Sequence, residues 1–272
     1  MSWLEAIVLG ITQGLTEFLP VSSTAHLRIV PAFVGWDDPG ALFTAVIQLG
    51  TMLAVVIFFW RDLVRIVRTW LSSLRNPELR STLDARMGWY VIVATIPIGV
   101  FGLAFRNQIE DGARDLYLIG TTLIALGLVL LLAERVGRRV RDLENVGIRD
   151  AVWIGFGQAL ALVPGVSRSG ATITAALFLD MKREAAARFS FLLSIPAVVL
   201  SGLFGLVELA RDNGGTTFTS LAIATVFAFI LGYASIAILL RYLAHHSTLV
   251  FVVYRVVVGS LVIALAASGT IS

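Results

Sequence analysis

The chain has 272 residues, 57% of them hydrophobic and only 14% charged, against about 25% charged in a soluble domain. A single soluble core and a disordered chain are therefore excluded, and the absence of cysteine also excludes a disulfide scaffold, a thiolate metal site and a cysteine nucleophile. The mean hydropathy of +0.87 leaves an integral membrane protein. A formal net charge of +3 is too small for a nucleic-acid binder, so the basic residues are read as markers of membrane sidedness.

The chain opens MSWLEAIVLGITQGLTEF, with Glu5 and no basic residue before Arg28. A secretory signal needs a positive flank, so this segment is expected to remain in the mature protein. It is apolar to Leu19, then meets Pro20 and the polar run Ser22-Ser23-Thr24-Ala25-His26 before a short apolar stretch, 27–34. Three charge-free runs long enough to cross a membrane follow, at 40–60, 87–105 and 116–133. The arrangement then recurs. Apolar 151–163 gives way to Pro164-Gly165-Val166-Ser167-Arg168-Ser169-Gly170, then to a short stretch, 171–179. Spans are predicted next at 189–207, 218–240 and 247–269, the last interrupted by Arg255. At the helical rise, 151–163 reaches only about 20 Å, short of a hydrocarbon core of about 30 Å. Short helix, polar turn, short helix predicts a re-entrant hairpin over 3–34 and again over 151–180, with a proline-kinked full span as the alternative at each.

The two hairpins resemble each other. Gln13-Gly14-Leu15 and Pro20-Val21-Ser22-Ser23 align with Gln158-Ala159-Leu160 and Gly165-Val166-Ser167-Arg168 at a constant offset of 145 residues. The expected fold is an all-α integral membrane protein: one membrane domain of six transmembrane helices plus two re-entrant helical hairpins, built as repeats 1–134 and 151–272. An odd number of spans per repeat inverts the second copy, and such folds place a polar site where the repeats meet. Segments 61–86 and 135–149, Lys182-Arg183 and Arg241 share one side and hold fourteen basic residues. The other side, with Asp37-Asp38 and the 106–115 and 208–215 loops, holds three basic residues and seven acids. The positive-inside rule makes the first side cytoplasmic. The first hairpin then enters from outside, and both termini lie outside.

Ionisable residues at membrane depth are costly and usually functional, and four stand out: Glu17, His26, Arg168 and Arg255. Gln13 and Glu17 share a helix face at i, i+4. The Glu17 carboxylate suits ligation of a divalent cation, with Gln13 as a second ligand. It suits equally general-base work or an ion pair with Arg168. Ser22, Ser23 and Thr24 open a short helix, where a hydroxyl caps or, for Ser23 between Glu17 and His26, serves as nucleophile. His26 is a candidate acid, base or nucleophile. In the second turn, Gly165 and Gly170 allow close approach, Ser167, Ser169 and Thr172 supply hydroxyls, and Arg168 supplies a guanidinium fork. At a helix N-terminus these read as a phosphate cradle. Arg255, two turns into the last span, is expected to snorkel to the basic side. Residue types alone fit an enzyme or an anion or lipid carrier equally well.

The segments Gln13-Gly-Leu-Thr-Glu17-Phe-Leu-Pro-Val-Ser-Ser23-Thr-Ala-His26 and Pro164-Gly-Val-Ser-Arg168-Ser-Gly-Ala-Thr172 resemble the bacterial undecaprenyl-pyrophosphate phosphatases of the BacA/UppP type. That family carries (E/Q)xxxE, then a histidine, then PGxSRSxxT, and the first position is Gln13 here. The resemblance implies removal of the terminal phosphate of undecaprenyl pyrophosphate, yielding the monophosphate lipid carrier for peptidoglycan synthesis, with associated bacitracin resistance. It implies a divalent cation, Mg²⁺ or Ca²⁺, and a multi-pass protein of the bacterial inner membrane whose site opens to the outer face. Glu17, Ser23, His26 and Arg168 are then the expected catalytic residues, and Ser22, Thr24, Gly165, Ser167, Ser169, Gly170 and Thr172 the expected phosphate contacts. The expected partners are a polyprenyl pyrophosphate lipid, the bilayer and a second copy of the chain as a homodimer, with no nucleic acid.

Overall fold

The first apolar segment folds as α1 (Trp3–Thr16), closed at its start by a capping box in which Ser2 and Glu5 exchange hydrogen bonds, so Glu5 serves the helix end. After a break at 17–22 comes α2 (Ser23–Val34), and α3 (Gly40–Phe58) follows. The stretch from 60, expected only as a basic connection, forms the helix α4 (Trp60–Arg75) and a 3-10 turn, Pro77–Ser81. The chain continues through α5 (Leu83–Ala104), α6 (Leu116–Val136), α7 (Ile148–Ala159), α8 (Arg168–Phe178), α9 (Arg183–Arg211), α10 (Phe218–His245) and α11 (Leu249–Ala267). This computed structural model describes residues 1–105, 115–211 and 217–271. The sidedness expectations at Arg106, Glu110-Asp111, Arg114, Asp212 and Ser272 lie outside the described residues.

Six helices, α3, α5, α6, α9, α10 and α11, are long and apolar enough to cross a membrane, as expected. Several outrun their apolar stretches: α9 starts at Arg183 rather than 189, and α10 runs to His245 rather than 240. Helical hydrogen bonding continues through charged residues wherever their side chains reach water, so hydropathy underestimates helix length. α1, α2, α7 and α8 have 14, 12, 12 and 11 residues, each about 21 Å or less at the helical rise.

The two breaks share a backbone device. Ser22 and Ser167, 145 residues apart, cap α2 and α8 at φ 73°, ψ 98° and φ 71°, ψ 116°. Positive φ is uncommon outside glycine. Each serine accepts a hydrogen bond from the backbone N–H three residues on, at 3.4 Å from Ala25 and 3.0 Å from Gly170. Small residues seat the short helices against the spans. A Cβ on Gly10 of α1 would lie 2.4 Å from the Ala224 oxygen of α10, and one on Gly155 of α7 would lie 2.6 Å from the Ala94 oxygen of α5. Lipid is as apolar as leucine, so helices in it associate through such close packing rather than through the hydrophobic effect. The largest buried cluster reaches the first break through Phe18 and Val21, where Phe18 meets Phe191 of α9 edge-on with centroids 5.2 Å apart.

At the basic end, Glu134 of α6 accepts from Arg183 and Arg139 and, at 2.8 Å, from the Thr248 hydroxyl, joining α6, α9 and the start of α11. Between α8 and α9, Asp180 takes a backbone N–H and the guanidinium of Arg138. Those hydrogen bonds hold its carboxyl below the usual aspartate range.

Candidate active site

Glu17 ends α1, and its backbone N–H still bonds Gln13 at 3.0 Å, so the carboxylate projects into the break. It is 7% exposed. One oxygen, Oε1, takes the Arg168 guanidinium, which reaches across 151 positions of sequence from the start of α8. The other, Oε2, accepts from Gln13 Nε2 at 2.8 Å and from the Ser23 hydroxyl at 2.5 Å. Of the three readings open for this carboxylate, an ion pair with Arg168 is therefore present. The Ser23 hydroxyl is at the same time aimed at an oxygen able to take its proton.

Arg168 holds its second nitrogen 3.2 Å from the Ser194 carbonyl of α9. Around it, the Ser169 hydroxyl donates to the Leu19 carbonyl of the first break at 3.0 Å and lies 3.1 Å from the Ser167 hydroxyl. Thr172 is fully buried and engages the Arg168 carbonyl at 2.8 Å and the Ser190 hydroxyl at 2.6 Å. Gly165, at φ 84°, leaves no room for a Cβ, which would fall 2.1 Å from the Thr122 hydroxyl of α6. The close neighbour at this glycine is the protein itself. A Cβ at Gly170 would lie 2.9 Å from Arg255 Nη1. Thr24 is exposed, with its hydroxyl 3.2 Å from that of Ser22.

His26 lies one turn beyond Ser22. The Ser22 carbonyl can only accept, so Nδ1 donates to it at 2.7 Å, and in the neutral ring Nε2 accepts from the Tyr254 hydroxyl at 2.7 Å. The two rings stack at 16° with centroids 5.5 Å apart. No hydrogen bond joins His26 to Ser23; the serine's partner is Glu17.

Arg255 departs from expectation. It is 0% exposed and turned inward. Its nitrogens donate to five backbone carbonyls: Leu123 at 3.0 Å, Thr122 at 3.3 Å, Pro20 at 3.2 Å, Val166 at 3.0 Å and Gly165 at 3.1 Å. Snorkelling fails because both breaks present unpaired carbonyls at this depth, and a buried guanidinium satisfies several at once. Arg255 stood out in the sequence as a charge inside an otherwise uncharged span, but its inward carbonyl partners did not. Tyr254 was not among the sequence candidates, and its one signal was its place beside that arginine.

Comparison with known proteins bears on this arrangement. The family described as "Bacitracin resistance protein BacA" matches residues 6–261, which include both breaks and the Tyr254-Arg255 pair. The chain belongs to that family. It is 54% identical to an undecaprenyl-diphosphatase of Mycolicibacterium smegmatis, covering 100% of this chain and 99% of that protein. It is 51% identical to one from Nocardioides over 100% and 99%, and 49% identical to one from Chlorobium limicola over 99% and 98%.

Members of the family were expected to use a divalent cation. Among the described residues no group of three or more histidines and acids forms a ready-made cage. The oxygen donors at the first break do fit a hard ion. Gln13 is fully buried, and its Oε1 accepts no hydrogen bond among the described residues. It shares a helix face with the Glu17 carboxylate. One carboxylate and one amide oxygen, completed by phosphate oxygens and water, suit Mg²⁺ or Ca²⁺.

Proposed function

We propose that this protein is an undecaprenyl-diphosphate phosphatase, hydrolysing the terminal phosphate of the lipid pyrophosphate to give the monophosphate carrier used in cell-wall synthesis, and that it thereby confers bacitracin resistance. The convergence of Glu17 and Ser23 from one break with Arg168 from the other, in a chain of the BacA family, carries the reading. The pyrophosphate draws Arg168 away from Glu17, since its higher charge competes for the guanidinium fork. The freed carboxylate takes the Ser23 proton as Oγ attacks the terminal phosphorus and the bridging P–O bond breaks. The monophosphate lipid leaves. Water then attacks the phosphoserine, releasing phosphate and restoring the Ser23 hydroxyl. Arg168 and the N-terminal amides of α8 stabilise charge on the transferred group. His26, held by Ser22 and Tyr254, orients the start of α2. A bound divalent cation, held by Glu17 and Gln13, would neutralise phosphate charge. The polyprenyl tail occupies an apolar groove of about 810 Å³ lined by Phe101, Phe105, Trp153, Phe156, Pro164 and Phe178, which meets the second break at Pro164.

We infer further that both breaks are re-entrant, that the halves are inverted repeats in the bacterial plasma membrane, and that the first break opens to the outer face. The matched offsets and paired caps support the repeat, and the basic residues around α4 and the 137–150 loop support the orientation.

The deciding experiment is phosphate release by purified protein in detergent, where there is no membrane to cross. The wild type releases phosphate, a chelator stops it, and readded Mg²⁺ or Ca²⁺ restores it; a carrier of the same lipid releases none. Sidedness is read with single cysteines in the cysteine-free chain. Cysteines at Ser2 and Asp38 react with an impermeant maleimide in intact cells, and cysteines at Ser72 and Asn145 do not. Protection at Ser2 alone would remove the first re-entrant hairpin.

A further inference from the structure

The helix α4 has no part in the chemistry above, and its pattern is unlike that of any span. Sixteen residues, about 24 Å at the helical rise, include Asp62 and four arginines, too short and too charged to cross a membrane. Three stripes run along it. Leu63, Ile66, Trp70 and Ser73 face the protein, where Ile66 and Leu63 join the main buried cluster and Trp70 lies over Gly88 and edge-on to Trp89. Its other tethers reach the following 3-10 turn, through Arg80 to the Ser73 carbonyl at 3.2 Å, and the beginnings of α5 and α9, through Arg65 to Asp84 at 2.9 Å and Asp62 to Arg188 at 3.0 Å. α4 therefore sits where two spans leave the apolar layer.

The second stripe is Trp60, Val64, Val67, Leu71 and Leu74, at i, i+4, i+7, i+11 and i+14; all but the half-buried Val64 are exposed. The third, one residue on, is Arg61, Arg65, Arg68, Ser72 and Arg75, all exposed. Arg65 is paired with Asp62 and Asp84. Arg61, Arg68 and Arg75 form no ion pair or hydrogen bond among the described residues. Between the two outer stripes lies a groove of about 410 Å³ lined by Trp60, Arg61, Val64, Arg65, Arg68 and Thr69. An apolar stripe beside a row of unpaired guanidinium groups matches a surface that is hydrocarbon below and anionic above. Tryptophan at the edge of that surface is equally characteristic.

We propose that α4 lies in the headgroup layer on the basic side of the membrane and that its Arg61–Arg68 groove holds the phosphodiester of an anionic phospholipid. The apolar stripe enters the acyl boundary, and the arginines meet lipid phosphates rather than water. Each basic residue at such a surface changes lipid affinity about fivefold, so the two unpaired arginines of the groove give a preference on the order of tenfold or more for an anionic over a zwitterionic lipid.

The test uses the full chain in phosphatidylcholine vesicles containing spin-labelled phosphatidylglycerol or spin-labelled phosphatidylcholine, reading the immobilised lipid fraction. The wild type retains phosphatidylglycerol preferentially. The preference collapses in 1 M salt, where the Debye length is about 3 Å, a result that needs no variant to fold. Arg61→Gln/Arg68→Gln loses most of it, whereas Arg135→Gln, on the same side of the membrane, keeps it. A nitroxide on Leu71→Cys is accessible to oxygen in the acyl layer, and one on Ser72→Cys to a water-soluble nickel chelate. The proposal is overturned if the double variant or high salt leaves the preference intact. It is equally overturned if inorganic phosphate displaces the lipid, or if both nitroxides report water alone.

Discussion

The two breaks are the same backbone turn carrying opposite chemistry. At the common offset of 145 residues, Ser22 answers to Ser167, both capping at positive φ, and Gln13 answers to Gln158, both fully buried with an Oε1 unpaired among the described residues. The candidate catalytic positions do not repeat. Glu17 stands opposite Leu162, Ser23 opposite Arg168 and His26 opposite Ala171. Even the matched glutamines diverge, since Gln13 Nε2 bonds Glu17 whereas Gln158 Nε2 bonds the Ala94 carbonyl at 3.3 Å. The scaffold is shared because both segments solve one problem, ending a helix inside the packed bundle without stranding polar backbone. On the proposed reading the functional groups are divided because one phosphate site needs an acid and a cation facing each other, and two identical breaks would bring like charges together.

That division is tested most severely at the charges themselves. Glu17→Gln should cut phosphate release by at least about 100-fold, because the amide cannot take the Ser23 proton. Arg168→Lys, which keeps charge but loses the planar fork, should lose about 30-fold, or ~2 kcal/mol of transition-state stabilisation. Near wild-type turnover for the lysine variant would reduce Arg168 to a structural counter-ion. Stability should separate the two roles. Arg168→Gln alone strands a buried carboxylate and should cost about 3 kcal/mol or more, and Glu17→Gln in the same chain should recover part of that in thermal denaturation. Additive losses would mean that the two residues do not form one unit.

The residue common to both breaks comes next. Arg255→Lys cannot serve five carbonyls spread over Pro20, Thr122, Leu123, Gly165 and Val166, and should destabilise by on the order of 3 kcal/mol. Smaller effects probe the shared turn. Ser22→Gly and Ser167→Gly should each stabilise by about 1 kcal/mol, since relief at positive φ outweighs the few tenths lost with the cap. Opposite signs at the two sites would break the equivalence. The smallest expected change lies away from both breaks, at Asp180. Arg138 depresses its carboxyl, so the pair stabilises above the unfolded aspartate pKa of about 3.9, and that contribution is lost as pH falls through the lower folded value. Asp180→Asn should therefore lower the melting temperature slightly at pH 7, and by progressively less as pH falls below about 3.9.

The sequence by itself determined the membrane class, the six spans, both interrupted segments and the polar residues within them. Those properties are local: a charge-free run must be helical in lipid, and a proline or glycine followed by hydroxyls must interrupt it. α4 was read only as a run of arginines, although its apolar and basic residues repeat at helical spacing; tertiary structure decided which face packs on α5, marked by Trp70 over Gly88. Tertiary structure alone decided which polar groups meet. Glu17 and Arg168 are 151 positions apart, and either could have turned to another partner. His26 found Tyr254 across 228 positions instead of its neighbour Ser23. Arg255 turned inward although an arginine two turns from a helix end normally reaches water. The physical reason is common to all three. At membrane depth a polar side chain takes whichever donor or acceptor the packed helices bring within about 3 Å, and that distance depends on how close glycine and alanine let the backbones come, as at Gly10 and Ala224.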